Sequence, residues 1–372
     1  MAKYWIYRGI PLHFDSSLLT QAGKQKFPVL RILLCKSNLL GCPFGKFWVL
    51  YQSSKKWEIR VLSFGSDLCA EKWNGYRMSG IKKIIKERFK ILEAILQIGW
   101  KKRYPIYLDY PINPKPRYGY GLAPHPRLLE IISSRRDHYQ KLLSGFAKYH
   151  EAFNRISLHQ DTAKIIDPIW VNGWFPPLDV ISLYGMLAAG KSKRYFEVGS
   201  GNSTKVAYRA INDQKLETKI TSIDPHPRAE IDSICDKVIR QPVEDVALEM
   251  FKELQEGDIL LVDNSHRVFQ NSDVNVCFLD ILPILAPGVI VAFHDIYLPL
   301  DYNKDFGADR HYSEQYLLAA YILAEGKKFD IIMPNTFVGE NEDLLSVLSP
   351  VWDAPNLGEL RKTGSLFWIK IN

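Results

Sequence analysis

Short apolar runs alternate with segments of helical periodicity between residues 168 and 324, and this alternation restricts the fold more than any other feature of the chain. Strands are predicted over residues 194–198, 219–223, 237–240, 258–262 and 289–293. Helices are predicted over residues 178–189, 204–212, 243–254, 274–282 and 314–324. Such a chain forms a parallel sheet covered by helices on both faces, so the sequence predicts an α/β fold. Two more strands, over 329–333 and 365–371, are separated by a segment with little helical pattern, and the last is predicted to run antiparallel.

The first of these strands runs into a turn with two glycines, Gly199-Ser200-Gly201, and a helix follows. Glycine allows a tight turn and lets a ligand approach the backbone closely. The amides of Asn202 and Ser203 would then face a ligand at the start of a helix. Many strand-to-helix turns contain glycine, but this placement between strand and helix favours a nucleotide-containing cofactor.

Acidic residues follow the second and third strands. Asp224 could accept hydrogen bonds from a ribose diol or serve as a turn residue ahead of Pro225, and its distance from the glycines favours the ribose. Glu244 could accept a hydrogen bond from an adenine amino group. Equally, it could be an acid in the first turn of a helix, where the helix dipole favours it.

The ends of the fourth and fifth strands place two carboxylates and two imidazoles close together. Asp263 and His266 follow the fourth strand, and His294 and Asp295 follow the fifth. Ligands of such sheets bind at the carboxyl ends of the strands, so these side chains are expected beside the cofactor. Asp263, His294 and Asp295 could bind a divalent ion, and the unperturbed pKa of histidine would suit His266 to a general base. The alternative is a network of structural hydrogen bonds.

Together these motifs resemble the class I S-adenosylmethionine-dependent methyltransferases and, more closely, methyltransferase family 24. The resemblance covers residues 172–372 and rests on Glu197-x-Gly199-x-Gly201, Asp224, Asp263-x-x-His266 and His294-Asp295. It implies a Rossmann-like sheet of seven strands in the order 3-2-1-4-5-7-6, with the last strand antiparallel. It also implies cofactor contacts from Glu197, Gly199 and Gly201 to the methionine part, from Asp224 to the ribose and from Glu244 to the adenine.

More distant relatives that use a metal ion place an acidic ligand where Asp263 stands and a catalytic base where His266 stands. They place two further ligands at the positions of His294 and Asp295, which implies a Mg or Mn ion here. The chain departs from these patterns in having His294 at an acidic ligand position and Ser203 at the third small position of the glycine pattern.

The sequence predicts three regions, at residues 1–110, 111–166 and 167–372. The first is a β-rich accessory region, with strands over 27–35, 47–52 and 57–64, followed by an amphipathic helix over 81–99. The second is a Pro-rich linker or wrapping arm with a helix over 127–153, and the third is the α/β domain.

Charge is divided unevenly, with 29 Lys and Arg against 11 Asp and Glu in residues 1–166, and 19 against 30 in the rest. The basic half could contact a membrane surface or an acidic glycan, or simply dock on an acidic neighbour. No nucleic-acid-binding motif is present, so no nucleic-acid partner is expected. The sequence shows neither a signal peptide nor a run of about 18 apolar residues, and its five cysteines form no Cys-x-x-Cys pair. These features predict a cytoplasmic protein; they do not indicate the oligomeric state.

The predicted function is transfer of a methyl group from S-adenosylmethionine to an oxygen of a small-molecule or sugar-like acceptor, with His266 as general base beside Asp263. One alternative is an NAD-dependent oxidoreductase, although Thr204 replaces the third glycine of the dinucleotide motif. Another is a non-catalytic module that binds a glycan or a membrane surface. Residues 172–175 could cover the cofactor or be core, and residues 297–312 could form a lid, with Arg310 suited to an anionic group, or a surface insertion.

Overall fold

The computed structural model describes residues 46–53, 56–63, 109–110, 112–160, 163–190, 192–355 and 357–372. The chain divides into two compact units, Met1–Leu108 and Asp109–Asn372. In the first unit, strands Lys46–Ser53 and Lys56–Ser63 pair antiparallel as a hairpin, which confirms two of the predicted strands. The predicted strand over 27–35 and the amphipathic helix over 81–99 lie outside the described residues.

The second unit is built on a sheet of seven strands. They are β1 (Arg194–Val198), β2 (Lys219–Ile223), β3 (Lys237–Ile239), β4 (Ile259–Val262), β5 (Ile290–Phe293), β6 (Phe329–Pro334) and β7 (Phe367–Ile371). Their order is 3-2-1-4-5-7-6. Strands β1 to β5 are parallel, and β7 is antiparallel to both β5 and β6. The predicted α/β fold and strand order are confirmed.

Helices flank this sheet. They are α1 (Pro126–Ser133), α2 (Arg136–Ala147), α3 (His150–Asn154), α4 (Pro177–Ala189), α5 (Asn202–Gln214), α6 (273–284, with a π-helical centre at Val276–Ile281), α7 (Glu314–Leu323), α8 (Asn335–Gly339), α9 (Glu342–Leu345) and α10 (Ser349–Trp352). Short 3₁₀ helices occupy Asp232–Ile234, Val243–Asp245, Leu248–Glu253 and Ser346–Leu348, and a π-helical turn occupies Asp305–Asp309. No helix in these described ranges is long and apolar enough to cross a membrane.

The helix predicted over residues 127–153 is three helices, α1 to α3. Its apolar spacing continues through two breaks, which is why the pattern did not reveal them. At the first break the Ser134 hydroxyl donates to the Ile131 carbonyl at 2.7 Å, and the Tyr139 hydroxyl donates to the Ile132 carbonyl at 2.8 Å. Side-chain donors thus satisfy carbonyls at the end of α1, and local bonds of this kind compete with the continuation of a helix.

Two other expectations about helices were wrong. The segment predicted as a helix over 243–254 forms two 3₁₀ helices with an extended break at Val246 and Ala247, in line with the low helix propensity of β-branched Val243 and Val246. The segment between β6 and β7, expected to have little helix, holds α8 to α10. Each of these has only 4 or 5 residues, too few to produce a recognisable period.

Residues 111–166 pack within the second unit. Phe146 lies so close to Gly185 of α4 that a Cβ atom there would stand 2.2 Å from its ring, and Phe153 contacts the rings of Trp170 and Tyr184. The Pro-rich stretch ahead of α1 is a wrapping arm whose peptide N–H groups at 117 and 118 donate to the Asp301 carboxylate at 2.6 and 3.1 Å. The predicted division at residues 110 and 166 stays a prediction.

Candidate active site

The turn after β1 leaves no room for a side chain at Gly199. This residue has φ +79°, and a Cβ atom added to it would lie 1.8 Å from the carbonyl oxygen of Asp263. The clash arises because the peptide N–H of Asp263 donates to Val198 at 2.8 Å, which holds the end of β4 against the end of β1. Glycine is therefore required both by the backbone conformation and by the neighbouring strand.

Glu197 lies beneath the same turn and has no access to solvent. The Tyr195 hydroxyl donates to its Oε1 at 2.9 Å, and the Thr204 hydroxyl donates to its Oε2. Thr204 in turn accepts from the Gly201 N–H at 3.0 Å. The carboxylate thus supports the turn from behind the pocket wall, and its direct contact with a cofactor stays a prediction.

A pocket of about 800 Å³ opens at the carboxyl ends of β1, β2 and β4. The other residues predicted to bind the cofactor all line it: Gly199, Ser200, Gly201, Asn202, Ser203, Asp224, Glu244 and Asp263. A cavity of this size is in the range of sites for small molecules and cofactors.

Asp224 is fixed at the pocket wall by two backbone donors. The Ser200 N–H donates to its Oδ2 at 2.8 Å and the His226 N–H donates to its Oδ1 at 2.7 Å. Each carboxylate oxygen keeps a further lone pair, so the residue can still accept hydrogen bonds from a diol. Glu244 lies on the 3₁₀ helix after β3 and lines the same pocket.

The four predicted strand-end residues do come together. His266 Nε2 lies 3.3 Å from Asp263 Oδ1 and 3.5 Å from Asp295 Oδ2. His294 Nδ1 lies 3.2 Å from the same Asp263 oxygen. Asp263 is therefore shared by both imidazoles, and both rings are buried.

This proximity changes the pKa values of the group. Burial opposes the charged form of His266, but its hydrogen bonds with Asp263 and Glu314 outweigh burial and raise its pKa well above the usual value. The carboxylates of Asp263 and Asp295 likewise raise the pKa of His294 against the effect of burial. The two imidazoles in return hold the pKa of Asp263 well below its usual range. The pKa shifts of His266, His294 and Asp263 all favour the charged forms of these three side chains, which favours ion pairs among them.

Glu314, the first residue of α7, was not predicted from the sequence. Its buried Oε2 lies 2.9 Å from His266 Nδ1, and its Oε1 accepts from the Asn264 amide at 3.1 Å. The peptide N–H of Ser313 donates to the His266 carbonyl at 2.8 Å, which ties the start of α7 to this loop. An acid at the start of a helix is an ordinary feature, so only the fold reveals that Glu314 meets an imidazole 48 residues away.

Asp179 in the first turn of α4 was also missed. Its completely buried carboxylate accepts from the N–H groups of Ser365 and Leu366 at 2.9 Å and from the Asn335 side-chain amide at 2.6 Å. His294 Nε2 lies 3.4 Å from its Oδ2, without the geometry of a hydrogen bond. Asp179 thus connects α4, α8 and the start of β7 next to His294 of the cluster.

The expected metal site is not supported. Within the ranges that the structure describes, no three or more His, Cys, Asp and Glu side chains are arranged to hold a metal ion. Both nitrogens of His294 face carboxylates, at 3.2 Å from Asp263 and 3.4 Å from Asp179, and Asp263 and Asp295 are directed at His266. The side chains of the predicted set Asp263, His294 and Asp295 therefore pair with each other and with their neighbours.

Two loops border the site, and the alternatives for both stay predictions. Trp174 is half-exposed and lines the pocket beneath the Arg228 guanidinium, which lies 4.5 Å from the centre of its ring, whereas Phe175 is buried and stacks on His294. In residues 297–312, the Tyr312 ring lies 4.6 Å from the His266 ring. The Arg310 guanidinium donates to the Tyr312 hydroxyl at 3.3 Å.

Comparison with known proteins agrees with this arrangement. Residues 196–296 match the methyltransferase family 24 model, described as a methyltransferase domain. No curated protein matches the chain.

Two solved structures to which the chain is similar are distant in sequence. The plantazolicin methyltransferase BpumL, in complex with SAH, is 12% identical and aligns over 79% of this chain and 99% of its own, with a TM-score of 0.36. The SAH-bound methyltransferase PaMTH1 of Podospora anserina is 15% identical and aligns over 64% of this chain and 95% of its own, with a TM-score of 0.32.

The strand order, the glycine turn and the matched family model together define the class. Residues 196–296 lie in a class I S-adenosylmethionine-dependent methyltransferase domain, and the protein is a transferase. The antiparallel seventh strand and the family match favour this class over the alternative of a nicotinamide-dependent oxidoreductase.

Proposed function

We propose that this enzyme transfers the methyl group of S-adenosylmethionine to an oxygen atom of a small-molecule or sugar-like acceptor. The observation that carries the proposal is the position of Asp263. This residue lines the pocket and is at the same time within 3.3 Å of both His266 and His294. A residue of the pocket wall thus contacts a cluster that contains a candidate base.

The pocket wall suits the cofactor. The turn at 199–201 permits close approach of a ligand, and Asp224 and Glu244 both lie on the pocket wall, where we assign them to the ribose diol and the adenine amino group. When bound, S-adenosylmethionine supplies an electrophilic methyl group on a sulfonium. The acidic side chains of the wall favour such a positive charge.

His266 is proposed as the general base. Its Nδ1 is held by Glu314 at 2.9 Å, so we assign the proton of an acceptor hydroxyl to Nε2, which lies 3.3 Å from Asp263 on the pocket wall. That hydroxyl oxygen then forms its bond to the methyl carbon, the carbon–sulfur bond breaks, and S-adenosylhomocysteine leaves. Orientation of the acceptor and exclusion of water contribute much of the rate.

The cofactor is tested by titration calorimetry of the full chain. S-adenosylhomocysteine is expected to bind and NAD is not. Binding of NAD alone, or of neither ligand, would contradict the proposed cofactor.

The base is tested with methyl-labelled S-adenosylmethionine and a panel of phenols, catechols and sugars. His266 has φ 60°, a conformation that asparagine tolerates, so His266→Asn should keep the backbone. Turnover should fall about 100-fold or more, while the affinity for S-adenosylhomocysteine stays within about twofold and His138→Asn, on α2, leaves both unchanged.

Because His266 acts only when neutral and its pKa is raised, wild-type turnover should increase with pH above the usual histidine range. Full turnover in His266→Asn would remove the residue from the mechanism.

The acceptor, the use of oxygen as its methylated atom and the cytoplasmic location remain predictions. The same holds for membrane contact through the basic N-terminal half.

A further inference from the structure

Lys205 is a buried cation on the wall of the cofactor pocket. It lies on the second turn of α5, the 13-residue helix that begins immediately after the glycine turn. The residue is only 5% exposed, yet it lines the pocket. Lysine is rarely buried to this extent without a partner.

Within the part of the chain that the structure describes, the Lys205 ammonium has no hydrogen bond and no ion pair. Burial lowers its pKa, and the carboxylates of Asp167 and Glu230 only partly oppose this. Holding an ammonium in such a place costs free energy, and a bound anion would recover it.

The charges around the pocket are otherwise acidic. Its acidic wall residues are Asp224, Glu230, Glu244, Asp263 and Asp273. The other Lys or Arg on the described wall is Arg228, which is exposed and lies over the Trp174 ring. Lys205 therefore provides a positive charge, carried by a largely buried side chain, on a wall that is mostly negative.

We infer that Lys205 binds the carboxylate at the amino-acid end of S-adenosylmethionine and so fixes that end of the cofactor. This inference rests on the proposed function. The sulfonium and the amino group of the cofactor are positive and suit the acidic wall, whereas its carboxylate needs a positive partner. If the ribose lies at Asp224, the amino-acid end extends toward the start of α5, where the amides of Asn202 and Ser203 add to the attraction of Lys205.

The test compares two ligands by titration calorimetry on the full chain. S-adenosylhomocysteine has the carboxylate, and its decarboxylated analogue keeps the amine but lacks the carboxylate. Lys205→Met keeps the length of the side chain without its charge. This variant should lower the affinity for S-adenosylhomocysteine about 10- to 100-fold, the range expected for a charged hydrogen bond. Its affinity for the analogue should change less than about twofold.

Two further variants give the controls. Lys205→Arg keeps the charge and should retain most of the affinity for S-adenosylhomocysteine. Lys193 is an exposed lysine just before β1, and Lys193→Met should leave the affinity for both ligands unchanged. The wild-type protein should itself prefer S-adenosylhomocysteine to the analogue by the same factor. A wild-type protein without this preference would overturn the inference even if Lys205→Met does not fold.

The outcomes separate the inference from the proposed function. If the wild-type protein binds neither ligand, the proposed cofactor is wrong and the inference falls with it. The other outcome is that the wild-type protein binds S-adenosylhomocysteine while Lys205→Met lowers the affinity for both ligands equally or for neither. In that case the role assigned to Lys205 is wrong, and the proposed cofactor is still supported.

Discussion

Glu197 shows how a single residue of the motif affects the stability of the whole domain. Burial raises its pKa to about 7, against the opposing hydrogen bonds from Ser203, Thr204 and Tyr195. A carboxyl group with a raised pKa in the folded protein stabilises the fold while it is protonated. This contribution is complete below the unfolded pKa near 4.5 and is lost as the pH rises through about 7.

We therefore expect the free energy of unfolding of the wild-type protein to decrease by about 2 to 3 kcal/mol more than that of Glu197→Gln between pH 5 and pH 8. Urea denaturation at the two pH values measures this difference. Glu253→Gln changes an exposed acid, and its free energy of unfolding should decrease with pH as much as that of the wild-type protein. Equal pH dependence of the wild-type protein and Glu197→Gln would show that Glu197 titrates normally in the fold.

The elements of this protein differ in how far the sequence could predict them. Strands β1, β2, β4 and β5 are apolar runs bounded by turn residues, and their place and direction follow from that pattern. The positions of β6 and β7 follow from the resemblance, because pairing between distant strands leaves no local signal. Helices were predicted less accurately, since 3.6-residue periodicity continues across the breaks between α1, α2 and α3 and is absent from helices of four or five residues.

The same distinction applies to the site. Gly199, Asp224, Asp263 and His266 could be predicted because each follows a strand, and strand ends converge. Asp179, Lys205 and Glu314 could not, because each lies on a helix, where an isolated charged residue in a sequence is as consistent with solvent as with a pocket. What distinguishes all three is burial, and Asp179 and Glu314 also have a partner far away in the chain.

Asp179 allows a prediction about how elements are joined. Its carboxylate accepts hydrogen bonds from the peptide groups of Ser365 and Leu366 and from the side chain of Asn335. Asp179→Ala would leave these buried donors unpaired, so it should destabilise the fold by about 3 kcal/mol or more, measured as the midpoint of urea unfolding. Asp137→Ala, an exposed acid in the first turn of α2, should cost only a few tenths of a kcal/mol. Equal effects of the two variants would mean that the bonds to Asp179 add nothing to stability.

At the scale of the whole molecule, composition and packing point to different boundaries. The Pro-rich stretch after residue 104 has the composition of a linker, which is why the sequence places a boundary on each side of residues 111–166. In the structure, Asp109–Asn372 is one compact unit. The side chains responsible are Tyr139, Phe146 and Phe153, all buried in the same core as the sheet. Aromatic contacts across 30 to 40 residues of chain leave no mark in local composition.

This packing predicts where the catalytic unit can be cut. A fragment of residues 109–372 should unfold cooperatively and bind S-adenosylhomocysteine, since it contains the entire sheet and α1 to α10.

A fragment of residues 167–372 lacks α1 to α3, which exposes the faces of α4 that Phe146 and Phe153 cover. Each such aromatic side chain contributes about 2 to 3 kcal/mol by its burial, and a domain has only about 5 to 15 kcal/mol of net stability. The shorter fragment should therefore show no cooperative transition by circular dichroism. Cooperative folding of residues 167–372 with normal ligand affinity would show instead that α1 to α3 belong to a separate region, as the composition suggests.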